Sequence, residues 1–158
     1  MSKCFSLSEK KRYRAVLIRS GGMGDFILTL PLLDYLQNSY REVLLITKPE
    51  YFVCVDHKVI NLEVFDLNLG VNSISKEIKD SDVYTFWDNT EWRKELKEWG
   101  AQDISILNSR PSSPPHIVES MFKAIEVPIY SSFLSKAWLG DKWNLNSLLW
   151  IHPGSGGK

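Results

Sequence analysis

Ala15-Val-Leu-Ile18 runs straight into Arg19-Ser-Gly-Gly-Met-Gly-Asp25 and then into the apolar stretch Phe26-Ile-Leu-Thr-Leu-Pro31. Four consecutive apolar residues suit a strand covered on both faces, which is the environment of a parallel sheet. The glycines let the backbone turn sharply and let a ligand approach it closely. A strand, a tight turn and a helix in that order make the opening of a βαβ unit, so this stretch constrains both the architecture and the position of any site.

The rest of the chain repeats the rhythm. Strands are expected over 13–19, 42–47, 62–67, 82–87 and 103–107, with helices over 25–38, 49–55, 70–79, 90–99 and 116–125. Pro31 conflicts with a continuous first helix, because proline removes a backbone donor and clashes with the preceding turn. A kink or a late helix start is expected there. Gly100 should end the fourth helix. Alternation of strands and helices about every 20 residues predicts an α/β, Rossmann-like domain with a parallel sheet. Ligands of such sheets bind beyond the carboxyl ends of the strands, where the Gly21–Asp25 turn falls.

The expected organisation is a basic lead-in over 1–12, a Rossmann-like domain over 13–127, a linker over 128–146 and a new strand over 147–158. That strand leads into His152-Pro-Gly-Ser-Gly-Gly-Lys158, a second glycine-rich turn with no helix after it. A strand and turn alone cannot bury their faces. The chain is therefore expected to be part of something longer, or the product of an interrupted gene.

Neither common nucleotide fingerprint fits. Gly22-Met-Gly24 lacks the third glycine of a dinucleotide loop, and Thr47-Lys48-Pro49 stands where an acidic ribose anchor would be. Counting back five residues from Gly157 of the Gly157-Lys158 pair reaches His152, so there is no Walker loop. What remains is a turn with a carboxylate at the mouth of a parallel sheet. Asp25 suits a helix N-cap. It also suits a general base that takes the proton of an incoming hydroxyl. It could serve in both roles only with one oxygen left free.

Lys+Arg and Asp+Glu both number 19. That balance argues against nucleic acid as the partner, since nucleic-acid binding leaves a basic footprint. Cys4 and Cys54 make neither a disulfide framework nor a metal pattern. No apolar run reaches the ~18 residues of a membrane span. The basic lead-in is solvated or makes a peripheral contact with anionic lipid.

Residues 19–33, Arg-Ser-Gly-Gly-Met-Gly-Asp-Phe-Ile-Leu-Thr-Leu-Pro-Leu-Leu, followed some 130 residues later by His152-Pro-Gly-Ser-Gly-Gly-Lys158, resemble glycosyltransferase family 9. These are the ADP-heptose:lipopolysaccharide heptosyltransferases and their relatives. The first motif is similar to the amino-terminal signature of the family. The second is similar to the opening of its carboxy-terminal domain. Between them only the βα rhythm matches. The resemblance implies a GT-B fold, whose amino-terminal domain holds the acceptor and whose second domain holds a nucleotide-sugar. It implies that Asp25 is the catalytic base of an inverting transfer, of heptose from ADP-heptose, to a lipopolysaccharide-core hydroxyl. It further implies no essential metal or other cofactor, a diphosphate-binding role for Ser155, Gly156, Gly157 and Lys158, and a cytoplasmic location at the inner membrane face.

Arg19, Gly21, Gly22, Gly24, Arg110 and His116 are the candidate acceptor-side residues. Arg19 ends the first strand. Arg110 lies in a Pro/Ser-rich loop and could meet an acceptor phosphate. His116 could cap the helix it precedes or reach the same phosphate. His57 and His152 read as structural or turn residues. Two other functions stay open: a non-catalytic α/β binding module, and a GT-B transferase that uses another nucleotide-sugar.

Overall fold

The computed structural model describes residues 12–55, 61–108, 110 and 116–129. Its centre is β1 (Arg12–Arg19), flanked by β2 (Tyr40–Thr47) on one side and β4 (Asp82–Thr85) on the other. β3 (Leu62–Asp66) lies outside β2, and β5 (Asp103–Ile106) lies outside β4. All four pairings are parallel, and Arg19 stands level with Thr47 of β2. This is the expected α/β, Rossmann-like sheet.

Side-chain alternation divides the interior into two layers. Ala15, Leu17, Val43 and Leu45 pack against α1 (Met23–Ile27), α2 (Leu30–Ser39), a 3-10 turn (Pro49–Cys54) and α5 (Ile117–Ala124). Val16, Ile18, Leu44 and Ile46 face the other way, towards α3 (Ser75–Ile78) and α4 (Thr90–Glu98). β1 and β2 are thus covered on both faces, which is why they read as continuous apolar runs.

The helix expected over 25–38 is two helices. α1 starts earlier, at Met23, and the chain turns at Leu28 and Thr29 before α2 resumes. Pro31 then falls in the first turn of α2, where its missing N–H costs nothing. The Thr29 hydroxyl donates to the Asp25 carbonyl at 2.9 Å and helps to satisfy the interrupted end. The helix expected over 49–55 is a 3-10 turn, and that over 70–79 is a 3-10 turn (Val71–Ile74) followed by α3. Asn72, Ser73 and Ser75 compete for backbone hydrogen bonds there, which weakens a long helix. α4 ends as expected: Gly100 has φ +89, and Ala101 N–H bonds back to Leu96 O at 3.0 Å.

At the amino end of the sheet, Tyr40, Tyr84, Asp82 and Arg12 form a polar cluster. Tyr40 donates to Asp82 Oδ2 at 2.7 Å and lies 2.7 Å from the Tyr84 hydroxyl, while Arg12 reaches both Tyr40 and Asp82. The Tyr40 proton goes to Asp82, so Tyr84 donates to Tyr40. Burial is the main cause that raises both phenol pKa values. Below pH about 10 both states of the chain hold these protons, so stability is unaffected. Above it the unfolded chain ionises first, and stability should fall by roughly 1.4 kcal/mol per pH unit for each tyrosine. Chemical denaturation between pH 9 and 11 should show this slope. Tyr40→Phe/Tyr84→Phe should flatten it, whatever its cost at neutral pH.

The strand expected within 147–158, Ser155 to Lys158, most of the lead-in and nearly all of the linker lie outside the described residues. Among the described residues no helix is long and apolar enough to cross a membrane.

Candidate active site

The chain leaves β1 towards β2 on one side of the sheet, and later crosses to β4 on the other. The carboxyl ends of β1 and β4 therefore form the point at which the strand order reverses, the usual place for a ligand in an open α/β sheet. Two loops meet here: Ser20 to Gly22 after β1, and Phe86 to Asn89 after β4. Trp87 Nε1 donates to Ser20 Oγ at 2.8 Å, and the Arg19 guanidinium carbon lies 3.9 Å from the centre of the Phe86 ring.

Asp25 is not the N-cap of α1. Gly22 holds that position, and Asp25 stands three residues on, inside the first turn. Its Oδ2 accepts the Gly22 N–H at 3.3 Å. Gly22 has no side chain to return the bond, so only half of a capping box exists. Oδ1 lies 3.7 Å from Arg19 Nη2, an ion pair beyond hydrogen-bond length. The carboxylate is 42% exposed. Oδ2 thus orders the turn, while among the described residues Oδ1 accepts no hydrogen bond, the condition under which a single carboxylate could do both jobs.

Gly21 makes this arrangement possible. Its φ is +107, and a Cβ there would stand 3.1 Å from Asp25 Oδ2. The Tyr51 hydroxyl holds the Gly21 carbonyl at 2.5 Å, and the Tyr51 ring stacks on Phe26 at 5.1 Å. Gly24 is different: a Cβ there would meet nothing within 4 Å among the described residues. Gly21→Ala should lower stability by about 1–2 kcal/mol through strain and displace the carboxylate. Gly24→Ala should leave thermal stability unchanged or slightly higher, since alanine is the better helix former. Melting curves of the two variants check the contrast. Weakened ligand binding by Gly24→Ala at unchanged stability would show that its space serves a ligand.

Arg19 is 3% exposed, at the end of the central strand. Among the described residues, its Nε and Nη2 are buried with no hydrogen-bond partner. Burial pushes its pKa down, and the charges of Asp25 and Tyr51 act against that shift. The Thr47 hydroxyl donates to the Arg19 carbonyl at 2.8 Å and fixes the backbone, not the guanidinium. A buried guanidinium facing a carboxylate that it does not hydrogen-bond is costly to the fold. Its compensation comes from the Phe86 ring and the field of Asp25.

The structure therefore brings together Arg19, Gly21, Gly22, Gly24 and Asp25. Arg110 and His116 follow the carboxyl end of the edge strand β5, and their hydrogen bonds are local. Arg110 follows the edge strand β5, and its backbone N–H bonds Asn108 Oδ1 at 2.8 Å. His116 is the N-cap of α5, where its Nδ1 accepts the Val118 N–H at 3.2 Å. Among the described residues no hydrogen bond or ion pair joins either of them to Arg19 or Asp25. The sequence reading passed over Ser20, Tyr51, Phe86 and Trp87. The aromatics read as core or strand residues, and only the topology places them beside the glycine-rich turn. Lys48 was also passed over; its ammonium lies 5.8 Å from the Tyr51 ring, on the rim of the same turn. Among the described residues no group of three or more His, Cys, Asp and Glu side chains could hold a metal.

A solved structure of a glycosyl transferase family 9 protein from Veillonella parvula DSM 2008 shares this fold. The two align with a TM-score of 0.54 and 17% identity, over 72% of this chain and 40% of that one. The likeness is one of fold, and the match spans 40% of that protein's length. No protein-family model matches the sequence, and no curated protein matches it.

Proposed function

We propose that this chain is the acceptor-binding part of an inverting sugar transferase, with Asp25 as the general base. The observation that carries the reading is the position of Asp25: a half-exposed carboxylate with one open oxygen, on a glycine-rich turn at the switch point of a glycosyltransferase-type sheet. In the reaction, the acceptor hydroxyl oxygen attacks the anomeric carbon of a nucleotide-sugar. Asp25 takes the hydroxyl proton, the bond from the anomeric carbon to the diphosphate oxygen breaks, and the nucleoside diphosphate leaves with the electron pair. Attack opposite the leaving group inverts the anomeric carbon. Arg19 keeps a positive charge 3.7 Å from Asp25 Oδ1, beside the place where the acceptor hydroxyl would give up its proton.

The motif resemblance supports heptose, from ADP-heptose, as the sugar and a lipopolysaccharide-core hydroxyl as the acceptor. It also supports donor diphosphate binding by Ser155, Gly156, Gly157 and Lys158, in a second domain that begins near the end of this chain. Glycine amides and a lysine are suited to that charge. The proposed location is the cytoplasmic face of the inner membrane, with no metal required for leaving-group departure.

The test is a transfer assay with ADP-heptose and a heptose-free lipopolysaccharide core. Protein that includes a complete donor domain should transfer heptose to the core. The 158-residue chain alone should give no turnover, since its match spans only 40% of a glycosyl transferase chain. Substantial transfer by the chain alone, or none by the longer protein with any nucleotide-sugar, would overturn the reading.

A further inference from the structure

We propose that Trp87 is the sugar-ring platform of this site and determines how an acceptor pyranose is presented to Asp25. The inference rests on the acceptor-site reading above and names a residue and a ligand class that the reading leaves open. Trp87 lies two residues beyond β4, and Ser20 one residue beyond β1, so the indole spans the switch point. Its orientation is set from three directions. Nε1 donates to Ser20 Oγ at 2.8 Å, its backbone N–H donates to Thr85 Oγ1 at 3.3 Å, and its ring meets that of Trp92 edge to face at 5.1 Å. Trp92 is itself fixed: it is 5% exposed, donates from Nε1 to Thr85 Oγ1, and packs on Trp99 at 5.7 Å.

Trp87 packs against the second core layer and keeps part of its side chain accessible. A tryptophan carried only as loop surface would not be tethered. Trp87 is tethered, and is neither fully buried nor fully exposed. Its one polar atom is already satisfied within the protein, so what the half-buried indole has left to offer a ligand is its aromatic carbon surface. A pyranose ring has a face of C–H bonds and an edge of hydroxyls. Laid on a fixed indole, it loses little further freedom and turns one edge towards the neighbouring turn, which carries Asp25. The ligand class is thus a hexose or heptose unit of a glycan with one apolar ring face.

The experiment uses the 158-residue chain labelled with 5-fluorotryptophan and a deacylated lipopolysaccharide-core oligosaccharide as probe. Fluorine NMR follows the Trp87 signal, assigned by its absence in Trp87→Phe, and calorimetry gives the affinity. The expected result is a Trp87 shift that saturates with the sugar, and roughly tenfold weaker binding by Trp87→Ala. Trp87→Phe keeps a ring and should lose less. Binding with the Trp87 signal unmoved, and with equal affinity in Trp87→Ala, would overturn the platform while leaving the acceptor reading intact. No binding of the oligosaccharide to the unsubstituted chain would overturn the acceptor reading, and the platform with it. The shift is read on unsubstituted protein, so a poorly folded variant does not remove the test.

Discussion

Asp25→Asn, made in protein that carries the donor domain as well, should lower kcat for sugar transfer by on the order of 10²–10⁴-fold. The amide matches the carboxylate in shape. Its oxygen can still accept the Gly22 N–H that Oδ2 accepts now, so the turn should persist. What the amide cannot do is take a proton from the acceptor hydroxyl. Affinity for the nucleotide-sugar should therefore be unchanged if, as proposed, the other domain binds the donor. Asp25 is 42% exposed, and its ion pair with Arg19 is 3.7 Å long, so the change in melting temperature should be small. Transfer rates, donor titration and a melting curve on one preparation separate these effects. Near-normal transfer would remove Asp25 from the base role. A large loss of thermal stability would instead point to a structural role for the half-box.

Arg19→Met should raise stability while lowering transfer. Removing one member of a buried ion pair normally destabilises a fold, because the other charge is left behind without water. Asp25 is well solvated, so that penalty is absent here. The substitution instead removes a guanidinium that is 3% exposed and has Nε and Nη2 unpartnered. It gives up the Arg19–Phe86 contact, worth up to ~2 kcal/mol, and recovers sulfur–aromatic packing against the same ring. The net expectation is a gain of about 1–3 kcal/mol. Transfer should fall about 10- to 100-fold, the equivalent of one charge-assisted interaction lost beside the base. Denaturant melts and kinetics on the same variant test the pair of signs. Destabilisation with unchanged kinetics would make Arg19 a structural residue. Stabilisation with a rate loss would identify a residue kept for function at a cost to the fold.

The glycine-rich turn and Asp25 were legible in the sequence because their chemistry is local. Glycines, a carboxylate and an apolar run fall within fifteen residues, and no other part of the chain is needed to see that a turn forms there. Pro31 was legible as a conflict, and the structure resolves it by breaking the helix at Leu28 and Thr29, ahead of the proline. The weaker elements were not legible. Residues 49–54 and 71–78 read as helices in the sequence, but they form 3-10 turns and one short helix. His116 could be read equally as a cap or a ligand, and its cap bond to Val118 became visible only with coordinates.

The sequence alone determined the architecture. Alternating apolar runs and helices at βα spacing leave few arrangements other than a parallel sheet covered on both faces, because each strand needs both of its sides buried. It also pointed to the glycine-rich turn after β1 as the place for a site. Only the tertiary structure decided what surrounds Asp25. Strand order placed β4 beside β1, and so brought Phe86 under Arg19 and Trp87 onto Ser20 across 67 residues of chain. Packing likewise buried Arg19 with two nitrogens unpaired and left one oxygen of Asp25 open. Those are properties of distance and desolvation between segments remote in sequence, and neither composition nor spacing encodes them.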